Sequence, residues 1–168
     1  MRRREHAPWW KGSRGEWFVV GQFVLIALVA AGPRSYGAWS FRTFWTLPGS
    51  TAQGLAAAAL MIAGGALMWT GFVALGPALT ALPYPNGEGS LSRTGPYAVV
   101  RHPIYCGLIA CGSGWALWVG SWLTFGCVAL LFVLLDVKSR REERWLAARY
   151  PEYPDYQRRV RRLLPFIY

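Results

Sequence analysis

Two long stretches of this chain carry no charge: none stands between Arg42 and Glu88, and none between Arg101 and Asp136. Within and before them, apolar residues cluster into segments of membrane-crossing character. The first runs from Trp17 to about Gly32 and stops at Pro33. It has the flanks of a signal peptide, with Ala30-Ala31-Gly32 as a weak cleavage site, but further apolar segments follow and favour a retained anchor. The second spans Thr51 to Leu75 and is rich in alanine and glycine, which lets neighbouring helices approach closely. From Pro103 to Leu135 an uncharged run of 33 residues is too long for one crossing at 1.5 Å per residue. Gly120-Ser121 predicts a turn that divides it into two helices, the first opened by Pro103.

Between the second and third segments lies 76–101, punctuated by Pro77, Pro83, Pro85, Pro96 and Asn86-Gly87, which predicts a long working loop. Past Leu135 the character changes. Asp136 to Arg149 predicts a polar helix with Lys138 and Glu142 at i,i+4 spacing, ended by Pro151 and Pro154. A basic and aromatic tail from Tyr156 to Tyr168 follows and is expected at a membrane surface.

These elements predict an all-α fold: a bundle of about four transmembrane helices with a C-terminal cytoplasmic helical region. The 168 residues form a single domain, with membrane helices of generic character over 1–88 and the chemistry over 89–168. Composition agrees, with 54% apolar and only 15% charged residues. The net charge of +10 does not indicate nucleic acid, because the positive residues sit at the ends of apolar segments. Lys and Arg number five before the first segment, two after it, two after the second and nine after the fourth. That asymmetry places both termini, the 76–101 loop and the polar helix on the cytoplasmic side. Cys106, Cys111 and Cys127 lie in apolar stretches with no metal-ligand spacing and read as packing residues; no metal is expected.

Two polar clusters interrupt this pattern. Gly95-Pro96-Tyr97 precedes Arg101-His102-Pro103-Ile104-Tyr105 at the mouth of the third segment, and Arg140-Arg141-Glu142-Glu143-Arg144-Trp145 follows the last. Ionisable groups at such depth are costly and are kept where they bind something. Each also has a plainer reading. His102 can cap a helix, Arg101 can mark the bilayer boundary, and Tyr153 and Tyr156 fit packing better than ligand binding. Of the paired glutamates one is expected to be an ordinary surface partner of Lys138 and the arginines.

The run Leu91-Ser92-Arg93-Thr94-Gly95-Pro96-Tyr97 with Arg101 to Gly107, Arg141-Glu142-Glu143, Tyr153, Tyr156, Arg159-Val160 and Leu164 to Ile167 resembles the isoprenylcysteine carboxyl methyltransferase and phospholipid methyltransferase group. The resemblance implies a membrane methyltransferase that uses S-adenosylmethionine. By position, Gly89, Ser90, Leu91, Ser92 and Tyr97 would line the cofactor; His102, Pro103, Ile104 and Tyr105 would continue that wall, and Glu142 would close it. Glu143 is then the surface residue. Arg101, His102 and Arg140 are the candidate catalytic side chains. Lys138 stands where the family places a substrate-facing basic residue, there an arginine, and Arg141 is a second substrate candidate.

Methyl transfer from a sulfonium needs no metal. An anionic nucleophile neutralises charge at the transition state, so a dry site favours it. The acceptor arrives from the bilayer and is lipophilic or small, with a prenylated cysteine carboxylate, a phospholipid amine and a small thiol all open; the chain's size argues mildly against a bulky prenylated protein. Two other classes compete. Membrane reductases of the sterol-reductase type share Arg-His-Pro-x-Tyr but carry Asn before the Tyr and an acidic residue after the next Gly, where Ile104 and Leu108 stand here. A non-enzymatic scaffold could keep the same fold.

Overall fold

The computed structural model describes residues 15–32, 51–76 and 91–168. Five α-helices form there: α1 (Glu16–Ala31), α2 (Thr51–Leu75), α3 (Pro103–Val119), α4 (Trp122–Arg149) and α5 (Tyr153–Arg159). The described residues hold no strand, only an isolated parallel bridge between Val100 and Arg161. The expected boundaries of the second segment and of the Gly120-Ser121 turn are met. Gly120 takes the left-handed conformation at φ 63°, and the Ser121 side chain accepts from the Thr124 amide at 3.3 Å to start α4.

One expectation is corrected. The polar stretch from Asp136 to Arg149 is not a separate helix but the continuation of the apolar one, and α4 runs unbroken through Leu135. Charge onset marks where the helix leaves an apolar surrounding; no breaker stands there to end it.

α2 and α4 are long and apolar enough to cross a membrane, while α1 and α3, at 16 and 17 residues, are shorter. The packing has membrane polarity. On α2, Leu55, Ile62 and Trp69 face outward, each about two-thirds exposed or more. Ala57, Gly64 and Gly71, offset by two residues and repeating every seven, are buried. They face Gly114, Gly107 and Pro103 of the antiparallel α3. The approach is close enough that a β-carbon on Gly64 would lie 2.9 Å from the Ala110 β-carbon and from the Cys111 nitrogen. Small residues inside and large apolar residues outside are how helices associate in lipid, where backbone proximity replaces the hydrophobic drive. Gln53 of α2 ties the far end of this hairpin by donating to the Leu117 carbonyl at 2.7 Å.

α4 packs against α1 and α3. Its buried residues Val128, Leu131, Leu135, Lys138, Ser139 and Glu143 fall on one arc at about 100° per residue. That arc begins as a lipid-shielded core and ends as the polar site.

Candidate functional site

The site is built where α4, past its apolar part, meets the start of α3. A 3₁₀ turn, Gly95–Ala98, with Pro96 in its first positions, leads the chain to Val100. Tyr97 in this turn is buried; its hydroxyl donates to the Gly71 carbonyl of α2 at 3.4 Å, and its own carbonyl accepts from the Tyr156 hydroxyl at 2.6 Å. The amides of Arg101 and His102 then donate to the carbonyls of Arg161 and Arg162 at 2.8 and 3.1 Å. This bridge fixes where the two side chains leave the backbone before Pro103 opens α3.

Glu143 is the hub. It is only 6% exposed, on the same i+4 row as Leu131, Leu135 and Ser139. Its Oε1 accepts from Arg101 Nε at 2.7 Å and lies 3.2 Å from His102 Nε2; its Oε2 accepts from Arg101 Nη2 at 3.2 Å and from Gln157 Nε2 at 3.0 Å. The remaining Arg101 donor, Nη1, reaches the carbonyls of Gln157 (3.0 Å) and Val160 at the end of α5. Arg101 therefore clamps α5 to α4, and its donors are occupied by protein groups. Although burial works against its charge, the hydrogen bonds from His102 and Arg101, with their charges, bring the Glu143 carboxyl down to about 2.

The expectation that Glu143 is the ordinary surface member of the pair is thus corrected: it is the buried one. Because its folded-state pKa lies below the ordinary carboxyl value, its stabilisation is complete above about pH 4.5 and fades as pH falls toward 2, a contribution on the order of 3 kcal/mol. In Glu143→Gln the loss of unfolding midpoint between pH 5 and 2.5 should be shallower than in the wild type. A parallel acid limb in both proteins would show that this carboxylate does not carry the effect.

Glu142 lies on the neighbouring row and is different in kind. Its side chain is 25% exposed, Oε2 accepts from the Tyr105 hydroxyl at 3.1 Å, and His102 Nδ1 lies 3.9 Å away. No partner holds its other oxygen among the described residues, so it can accept from a ligand. Burial raises its pKa, opposed by His102, Lys138 and Tyr105. The His102 and Tyr105 rings stack beside this carboxylate, with centroids 5.3 Å apart and planes 1° from parallel.

Lys138, one turn earlier than Glu142, is 1% exposed. Its Nζ sits 5.0 Å above the Tyr105 ring and donates to Gln22 Oε1 of α1 at 2.6 Å. Gln22 was not signalled as a site residue by the sequence pattern, although a lone amide in the middle of an apolar helix is the kind of group that needs a partner.

The other candidates are dispersed. Arg140 is exposed and bonds Asp136 and the Tyr168 hydroxyl, away from the glutamate pair. Arg141 turns toward α1, over the rings of Phe18 and Trp145. Pro103 and Ile104 pack on Gly71 of α2. Leu91 packs against the buried Tyr153, Tyr156 and Val160, which confirms the packing role of the two tyrosines. Ser92 is half-buried in the segment before the turn, and Gly89 and Ser90 lie outside the described residues. The structure thus joins His102, Tyr105, Lys138 and Glu142 into one polar cluster supported by Arg101 and Glu143.

The chain is 29% identical over 153 residues to the cobalt-zinc-cadmium resistance protein CzcN of Cupriavidus metallidurans, a match that covers 90% of this chain and 62% of that protein. The chain thus spans less than two thirds of the length of this relative. Residues 52–153 match the phospholipid methyltransferase profile, a stretch that takes in α2, the Arg101-His102 segment, α3 and all of α4. Carrying that match over most of its described helices, this chain belongs to the phospholipid methyltransferase family of integral membrane methyltransferases.

Proposed function

We propose that the chain transfers a methyl group from S-adenosylmethionine to a lipophilic acceptor of the isoprenylcysteine-carboxylate type. In this reading four helices cross the membrane and the site opens on the cytoplasmic side. The observation that carries it is the half-open Glu142 carboxylate, one oxygen held by Tyr105 and the other without a protein partner, beside the stacked His102 and Tyr105 rings.

That group fits the cofactor. A carboxylate with a vacant oxygen suits an ammonium or ribose hydroxyls, and the aromatic rings suit a purine or a sulfonium. When bound, the cofactor supplies an activated methyl group on positively charged sulfur. The chain's own part is placement: Arg101 and Glu143 hold His102, the bridge to Arg161 and Arg162 fixes its backbone, and the apolar helices exclude water. Lys138 supports the acceptor class. A buried ammonium with donors to spare beyond Gln22 favours an anionic acceptor such as a carboxylate and disfavours a protonated amine.

The relative's name speaks of cobalt, zinc and cadmium resistance in its own organism. Among the described residues no three His, Cys, Asp or Glu side chains gather as metal ligands.

Calorimetric titration in lipid nanodiscs tests this reading. S-adenosylhomocysteine should bind saturably, with NADPH in a parallel cell giving no heat. His102→Ala and Glu142→Ala should each weaken binding at least tenfold, about 1.4 kcal/mol. Binding of NADPH alone would transfer the protein to the reductases.

A further inference from the structure

Residues 161–168 do more than trail from α5. Arg161 and Arg162 supply the carbonyls that hold the Arg101 and His102 amides, and Leu163 is wholly buried behind them. The chain then closes on itself: the amides of Leu163 and Leu164 both donate to the Tyr168 backbone oxygen at 2.8 Å, and the Tyr168 amide returns to the Leu164 carbonyl at 3.0 Å. At the tip Phe166 adopts the left-handed region with φ 65°, which is uncommon for a bulky residue and is kept only where the surroundings over-determine it. The closed turn holds that conformation, and it leaves Phe166 and Ile167 84% and 77% exposed.

The height of this turn is set by Tyr168. Its hydroxyl donates to Asp136 Oδ1 at 3.1 Å and receives Arg162 Nη2 at 3.2 Å and Arg140 Nη2. Asp136 is the first charged residue after the uncharged run, so the turn stands at the level where α4 emerges from its apolar surroundings. Around it the charge is positive. Arg159 and Arg161 are exposed and have no ion pair among the described residues, whereas Asp136 is already shared by Arg140 and Arg162.

We propose that the turn Leu163–Tyr168 docks on an anionic lipid leaflet, Phe166 and Ile167 entering the headgroup boundary while Arg159 and Arg161 meet lipid phosphates. Docking steadies the carbonyls of Arg161 and Arg162 and so the backbone of Arg101 and His102. Two apolar side chains presented at an interface level, flanked by unpaired arginines, are what such a surface binds. The inference rests on membrane embedding and not on methyl transfer.

Hydrogen–deuterium exchange of the full chain tests it without cofactor. In nanodiscs of phosphatidylcholine containing phosphatidylglycerol, peptides covering 98–102 and 161–168 should exchange at least fivefold more slowly than in pure phosphatidylcholine. Salt at about 1 M, where the Debye length falls to about 3 Å, should remove most of the difference. The surface variants Phe166→Ser/Ile167→Ser and Arg159→Gln/Arg161→Gln should each abolish it. Equal exchange in both lipids, or slowing that survives in either double variant, overturns the proposal. Failure of S-adenosylhomocysteine to bind would leave this result unaffected and would bear on the methyltransferase reading alone.

Discussion

Glu143→Ala is expected to be the most damaging single change in the polar half of the chain, lowering stability by about 3–5 kcal/mol. The substitution removes the carboxylate but leaves the Arg101 guanidinium, about nine-tenths buried, without its counter-charge. It also frees His102 Nε2 and Gln157 Nε2, so α5 loses its main polar tie to α4. Glu142→Ala should cost the fold much less, because that side chain is a quarter exposed and its protein donor is the Tyr105 hydroxyl. Thermal unfolding in detergent micelles separates the two. Arg101→Leu combined with Glu143→Leu should recover much of the loss, since an apolar pair avoids the stranded charge. If Glu142→Ala proves the more destabilising change, the hub has been assigned to the wrong glutamate.

Gly107→Val should rank next, and its damage should fall on the α2–α3 seam. A β-carbon at Gly107 would stand 2.8 Å from the Met68 β-carbon and from the Met68 backbone nitrogen. Backbone cannot swing aside as a side chain can, so the helices must part. The cost should exceed the about 1–3 kcal/mol usual for overpacking. Because Pro103 and Tyr97 both lean on Gly71 of α2, separation of the seam would also shift His102. Gly65→Ala is the control: nothing lies within 4 Å of a β-carbon there, and its helix should be unharmed or slightly firmer. Proteolytic susceptibility of the folded protein in nanodiscs reads both. Equal resistance of Gly107→Val and Gly65→Ala would mean that the helices do not approach as closely as described.

The helices were legible because breakers and uncharged runs are local signals. Pro103, Gly120 and Ser121 marked the ends of α3 and the start of α4 with no knowledge of the partner helices. The continuity of α4 was not read, because the change from Leu135 to Asp136 altered solubility and not helical tendency. His102, Tyr105 and Glu142 were legible as a group through their resemblance to a family. Glu143 was misplaced, although the row Leu131, Leu135, Ser139, Glu143 was available and puts it on the buried side of α4. Gln22 could not be read, since its partner Lys138 stands 116 residues away and only the packing of α1 on α4 brings the two together.

The unbroken α4 has a mechanical meaning. Its apolar half packs on α1 and α3 and its polar half carries Lys138, Glu142 and Glu143, with no hinge between them. Where the apolar length exceeds the hydrocarbon thickness, a membrane-crossing helix of this kind answers by tilting. A tilt at the lipid end must then appear as a displacement of both glutamates relative to His102, which belongs to a different helix. If α4 crosses the bilayer, hydrocarbon thinner than its apolar length would thus act on the spacing of the site itself, with no change in sequence.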